Sequence, residues 1–296
     1  MQEIKVSKIS QYIEIIERIK SYYPTGIMIN NPATRSFLFR GLCDSTYKLI
    51  PGVFRTVTTS IGDSSLTNKK YLAWLNEKGL LQSFIQEASG ILNIPTSDIL
   101  RWAEYAQHYG VPTRFLDWSS NPLVALYFAC RDKTEIDGSV WLLHKQNYTR
   151  FIAEHNNIPG SMMVKDIISG LLRNEESKAE YPILYIPYYV DTRMSAQTSY
   201  FMVWGKKEEP LEDLLLAENV FMDIPEKDTG IRSFGDAQQR DILFRFVISA
   251  DRKQPLLHEL DLVGINEKTL FPGLDGIGRY IERQYRFDYN EAVSNS

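Results

Sequence analysis

At 296 residues, with 44% hydrophobic and 12% aromatic content, the chain can bury one large core or two smaller ones, which excludes a disordered or fibrous polymer. A net charge of −4 with no Lys/Arg run argues against general DNA or RNA binding and leaves room only for a local basic groove. Two cysteines, Cys43 and Cys130, exclude a disulfide framework; with no secretory pattern in MQEIKVSKIS and no apolar run near the roughly 20 residues that span a bilayer, the expected setting is a reducing cytoplasm, away from membranes.

In chain order, Ile9, Tyr12, Ile13, Ile16 and Ile19 form one apolar stripe and predict an amphipathic helix over residues 7–22. Phe37 to Arg40 reads as a strand that Gly41 breaks. Residues 57–68 read as a polar loop, and residues 66–91 as helical with an interruption at Gly79. Thr96 or Ser97 caps a helix through ILRWAEYAQHY, whose apolar residues recur at helical spacing until Gly110 and Pro112 end it. The chain then turns within VPTRFLDWSS, which brings His108, Arg114, Asp117, Trp118, Ser119 and Ser120 into one neighbourhood. Polar groups placed beside buried helices need mutual hydrogen bonds. Asn121 as N-cap, Pro122 as first helical residue and LVALYFAC predict a buried helix over 122–131.

Further on, Ser139 to His144, Ile183 to Pro187, Tyr200 to Trp204 and Ile242 to Ser249 read as strands. Residues 166–173 and 253–262 read as helices, 206–229 as a loop or insertion, and Asp275 as the cap of a last helix. Helices first and non-alternating strands later predict an α+β protein rather than a doubly wound parallel sheet. The chain lacks H-E-x-x-H, C-x-x-C and C₂H₂ spacings, so no metal site is expected. It also lacks a P-loop, and GLDGIG does not follow the dinucleotide fingerprint.

Four blocks stand in order: FRG at Phe39 to Gly41, HYGVPTRFLDWSSNPLVALYFA at His108 to Ala129, DTRMSAQTSYFMVWG with Arg193, Gln197 and Phe201, and INEKTLFPGLDGIGRYI at Ile265 to Ile281. Together they resemble the FRG-domain family. The resemblance implies an N-terminal helical element at 1–35, an FRG domain at 36–285 and a C-terminal tail at 286–296. Ser199 departs from the pattern, standing where the family has Gly, and a side chain there hinders a close ligand approach or a positive φ.

A more distant similarity, to ADP-ribosyltransferases, implies a helical N-terminal part packed on a mostly antiparallel, split β-sheet core, and NAD as substrate. Arg40 then takes the role of the early strand-end arginine, Ser119 and Ser120 that of the seryl strand before a helix, and Gln197 that of the later acidic residue. Guanidinium groups suit diphosphates and ribose hydroxyls, and short hydroxyls tie neighbouring strands together. A carboxamide at Gln197 supplies hydrogen bonds but no charge for a developing oxocarbenium, so Glu104 or Asp117 is the candidate negative group. His108 is a candidate for proton transfer, Tyr109 and Trp118 for stacking on a base, and Arg114 and Arg193 for holding the ligand.

Each of these residues has a structural reading beside the functional one. Arg40 can pair with an aspartate, Asp117 can bond Arg114 or its own turn, and Tyr109 and Trp118 can belong to the core. Two classes of function follow. One is an ADP-ribosyltransferase-like enzyme that uses NAD to modify a macromolecule or small molecule, in the toxin or anti-phage defence setting the resemblance implies. The other is a non-catalytic module that binds a nucleotide or a partner through the same pocket.

Overall fold

The computed structural model describes residues 4–21, 37–55, 59–61, 64–66, 77–156, 158, 163–175, 178–187, 192–218 and 242–294. The chain opens with β1 (Ile4–Val6), α1 (Ile9–Ser21) and β2 (Phe37–Leu42), then a small hairpin of β3 (Thr59–Ile61) and β4 (Ser64–Leu66). Next come α2 (Glu77–Ala88), α3 (Ile99–His108), β5 (Phe115–Ser119), α4 (Pro122–Cys130), β6 (Gly138–His144) and α5 (Lys145–His155). The second half holds α6 (Val164–Arg173), β7 (Ile183–Tyr185), α7 (Thr192–Ala196), β8 (Ser199–Val203), α8 (Leu211–Ala217) and β9 (Leu243–Ile248). It closes with α9 (Ala250–Leu262), α10 (Glu267–Leu270) and α11 (Leu274–Ser294).

Among the described residues, seven strands form one mixed sheet in the order β1-β9-β6-β2-β5-β8-β7, in which β1 and β9 run parallel and the other neighbours antiparallel. The architecture is α+β, with residues 4–6 at one sheet edge and Tyr12, Ile16 and Ile19 of α1 in the same core as α4. The ladder is uneven. Strand β2 pairs with β6 along its whole length but meets β5 at one residue pair, Phe39 and Ser119. The sheet therefore parts at its middle, between a β1-β9-β6-β2 half and a β5-β8-β7 half.

Side-chain alternation sorts the core around that division. On one face, Phe37, Phe39, Val140, Phe244 and Phe246 pack under α1, α4 and α9, while Phe115, Phe201 and Val203 pack under α3 and α6. On the other face, Leu38, Leu116, Trp118, Trp141 and Met202 share a single cluster with Tyr148 and Leu215.

Several sequence expectations change. Gly41 does not break β2, which continues to Leu42. A Cβ at Gly41 would lie 1.9 Å from the Ala125 carbonyl oxygen, so the residue admits α4 against the strand. The segment read as a turn contains β5, because Phe115 to Ser119 pair residue by residue with Val203 to Ser199. The cap of α3 is Asp98, whose side chain accepts from the Arg101 N–H, in place of Thr96 or Ser97. The loop at 57–68 holds the β3–β4 hairpin, and the loop at 206–229 holds α8, whose Leu211, Leu214 and Leu215 are buried. Of the helix expected over 66–91, residues 77–88 are helical through Gly79, and residues 67–76 lie outside those described. The helix over 122–131 and its Asn121 cap stand, with the Asn121 Oδ1 accepting from the Leu123 N–H at 3.0 Å.

Candidate functional site

A cleft of about 50 Å³ opens where the two halves of the sheet part. From the β2 side it is lined by Phe39, Arg40 and Gly41, and from α4 by Val124, Ala125 and Phe128. From β5 come Asp117, Trp118 and Ser119, and from the turn into β8 come Gln197 and Ser199. Five of the sequence-predicted residues thus meet: Arg40, Asp117, Trp118, Ser119 and Gln197.

The cleft is held open by short polar links. Ser119 Oγ donates to the Gln197 carbonyl oxygen at 2.7 Å, lies 3.0 Å from Thr198 Oγ1 and accepts from the Asn121 N–H at 3.0 Å. One hydroxyl therefore ties β5, the turn before β8 and the start of α4. Ser120 follows it, donating its backbone N–H to the Thr198 carbonyl at 3.2 Å, and stands just outside the lining. The positive φ of this turn falls on Thr198, at 48°, while Ser199 lies in the strand opposite Ser119. The departure from glycine at Ser199 is compatible with the backbone here.

Arg40 Nη1 donates to the backbone carbonyl of Asp117, which bridges the gap where the β2–β5 ladder is missing. Its Nε is buried and has no hydrogen-bond partner among the described residues, and the same holds for Trp118 Nε1. Burial pulls the Arg40 guanidinium down to about 10; Asp117 opposes the shift and Arg55 adds to it. The group stays cationic at neutral pH. Asp117 is exposed, and its Oδ2 accepts from Gln107 Nε2 at 2.7 Å; Gln107 Oε1 in turn accepts from the buried Thr113 hydroxyl at 2.6 Å. Gln197 Nε2 donates to the Leu270 carbonyl at 3.1 Å, anchoring the carboxamide to α10.

Other predicted residues lie elsewhere. Arg114 is held by Glu77, through its backbone N–H at 2.7 Å and its Nε at 2.6 Å, and donates to the Trp204 carbonyl at 3.1 Å, a largely buried structural pair. Tyr109 is 65% exposed at the end of α3, stacked on Tyr105, with His108 edge-on to its ring at 5.0 Å. Arg193 places its guanidinium 4.6 Å from the centroid of Phe271, a ring that Arg131 and Arg279 also approach. Glu104 is buried, bonded to Tyr185 Oη at 2.7 Å and to Arg101, and its carboxyl is raised by burial. Asp117 is the acidic residue of the lining.

Sequence reasoning missed Val124, Ala125 and Phe128, whose spacing on an all-apolar helix carries no sign of a ligand, and it missed Gln107. The signal for Gly41 was present, since a glycine inside a strand marks a bulge or a close backbone approach. Among the described residues no cluster of His, Cys, Asp or Glu is placed to hold a metal, and no helix is long and apolar enough to cross a membrane.

Fold and cleft define an α+β protein with a pocket at a parting of its mixed sheet, its walls largely apolar and its polar groups few: Arg40, Asp117, Ser119, Gln197 and Ser199. The family model of the FRG domain matches residues 35–138, so the chain carries an FRG domain over that span, which contains Arg40, Asp117, Ser119 and all of α4. No curated protein and no solved structure was found to match the chain.

Proposed function

We propose that the cleft is a nucleotide site that takes NAD for ADP-ribosyl transfer. The observation that carries this reading is the meeting of Arg40, Ser119 and Gln197, from three separate segments, in one pocket. Arg40 supplies a cation with an unused N–H for phosphate or ribose oxygens. Asp117 supplies the negative charge that a carboxamide lacks, held in orientation by Gln107, and so stabilises the positive charge that develops on the ribose as nicotinamide leaves. Gln197 Oε1 is left to accept a ribose hydroxyl, because its Nε2 is engaged with Leu270. Ser119 organises the strands and is no nucleophile, since its hydroxyl hydrogen is directed at the Gln197 carbonyl.

The anchoring of Gln197 favours a second reading, a module that binds a nucleotide without cleaving it. NAD consumption and transfer of labelled ADP-ribose separate the two. For the enzyme, the parent consumes NAD, Arg40→Ala and Asp117→Asn lose at least a hundredfold in kcat/KM, and both melt within a few degrees of the parent, a loss of order 3 kcal/mol in transition-state stabilisation. Binding of NAD with no turnover would select the module. A toxin or anti-phage defence role is the biological setting of the enzyme reading, and loss of cellular NAD on expression is its readout.

A further inference from the structure

The sheet carries, on the face away from α4, a row of polar groups whose hydrogen bonding neither the packing of the core nor the contacts of the cleft accounts for. The ladder sets Arg40 opposite Trp141, and Trp141 opposite Arg245. The Phe39–Ser119 pair places Trp118 beside Arg40 on the other side. Alternation along each strand sends all four side chains to the same face, and Ser139, two residues from Trp141, joins them. That face is the one opposite Gly41, whose missing Cβ points at Ala125.

Among the described residues, Arg40 Nε, Trp118 Nε1, Trp141 Nε1 and Ser139 Oγ are buried without a hydrogen-bond partner, and all four fall in this row. Trp118, Trp141 and Ser139 are 2%, 3% and 0% exposed. Buried donors left unsatisfied cost free energy, native folds tolerate few of them, and each has a cause such as a bound water, an ion or a functional role. Here the strand register sets Arg40 between Trp118 and Trp141 on one face, with Ser139 two residues along. Guanidinium and indole N–H groups donate and never accept, so they cannot satisfy each other. The charge around them is positive as well: Arg55 acts on Arg40, and the Arg245 guanidinium lies 5.4 Å from the Trp141 ring, while Asp117 is the carboxylate that acts on Arg40. Arg40 and Trp118 belong to both the row and the cleft, and the parted β2–β5 ladder joins the two.

We infer that this row is a phosphate site, in which Trp118, Arg40, Trp141 and Ser139 donate to the oxygens of a phosphate or diphosphate group. The inference rests on the nucleotide reading of the cleft and names the anionic end of its ligand. Intrinsic tryptophan fluorescence of the full chain, titrated with inorganic phosphate, pyrophosphate and NAD at constant ionic strength, tests it, with melting temperatures measured beside each titration. Pyrophosphate is expected to change the emission and raise the melting temperature. Ser139→Ala and Trp141→Phe are expected to weaken pyrophosphate at least tenfold, and Ser139→Ala to leave the unliganded melting temperature unchanged or higher, since an orphan hydroxyl is removed. Tighter binding of NAD than of pyrophosphate assigns the site to a nucleotide, and equal or weaker binding assigns it to free phosphate; both uphold the phosphate chemistry. The inference is overturned if neither phosphate probe binds at millimolar concentration, if Ser139→Ala binds pyrophosphate as the parent does, or if that variant melts well below the parent without ligand. NAD turnover that these variants leave unchanged sinks the row and spares the cleft reading. Pyrophosphate binding that they abolish, with NAD neither bound nor consumed, does the reverse.

Discussion

Ser119 and Arg40 line the same cleft and do different work. The Ser119 hydroxyl has three short contacts, all within the protein, so its role is to hold three segments in register. Ser119→Ala leaves the Asn121 N–H and the Gln197 carbonyl without that partner and is expected to cost about 1–3 kcal/mol in a denaturant titration. Among the described residues Arg40 makes one hydrogen bond and keeps one buried N–H unused, so its loss is expected in ligand binding rather than in folding. Both residues were legible in the sequence because they sit in recognisable motifs. What the sequence could not show is that the hydroxyl is already committed and the guanidinium is not, since that depends on acceptors 77 or more residues away.

At the scale of elements, the contact between β2 and α4 decides whether there is a cleft at all. With Ala125 O at 1.9 Å and Ala129 N at 2.7 Å from a Cβ at position 41, a methyl group has no flexible neighbour to displace. Gly41→Ala is expected to destabilise the protein by about 3 kcal/mol or more, as a lowered denaturation midpoint, and to abolish binding in whatever folded fraction remains. The sequence marked Gly41 as unusual and drew the wrong consequence, a strand end, because a glycine that admits a helix and one that ends a strand look alike without the partner element. Phe115 to Ser119 misled in the same way. Five residues flanked by Pro, Thr, Ser and Asn resemble a turn until β8 supplies the ladder that makes them a strand.

At the scale of the molecule, acid lability is expected to trace in part to His144. Buried at the end of β6, it caps α5 by accepting the Asn147 N–H at Nδ1, 3.1 Å away. Burial holds its imidazole down at about 4; a backbone hydrogen bond opposes this and Arg150 adds to it. The unfolded chain takes up a proton near pH 6.5 and the folded protein near 4, so between these values unfolding binds the extra proton. Stability therefore falls as pH drops from about 6.5 to about 4, by a total of order 3 kcal/mol from this group. Glu104 and Glu212, raised by burial, act in the opposite direction, so the comparison is with His144→Asn, which keeps a capping side chain and removes the titration. The difference in unfolding free energy between parent and variant should vary across that window and be flat above pH 7. A flat difference throughout would remove His144 from the account.

The sequence by itself determined the α+β class, the capped buried helix after Asn121 and the FRG motif, because these rest on local chemistry: capping, hydrophobic periodicity and residue order. Tertiary structure alone decided that the sheet parts between β2 and β5, that Arg114 is consumed by Glu77 while Arg40 keeps an unused donor, and that two tryptophans flank that donor on one face. The reason is physical. Strand register and hydrogen-bond satisfaction belong to pairs of distant residues, and no single stretch of chain contains both members of the pair.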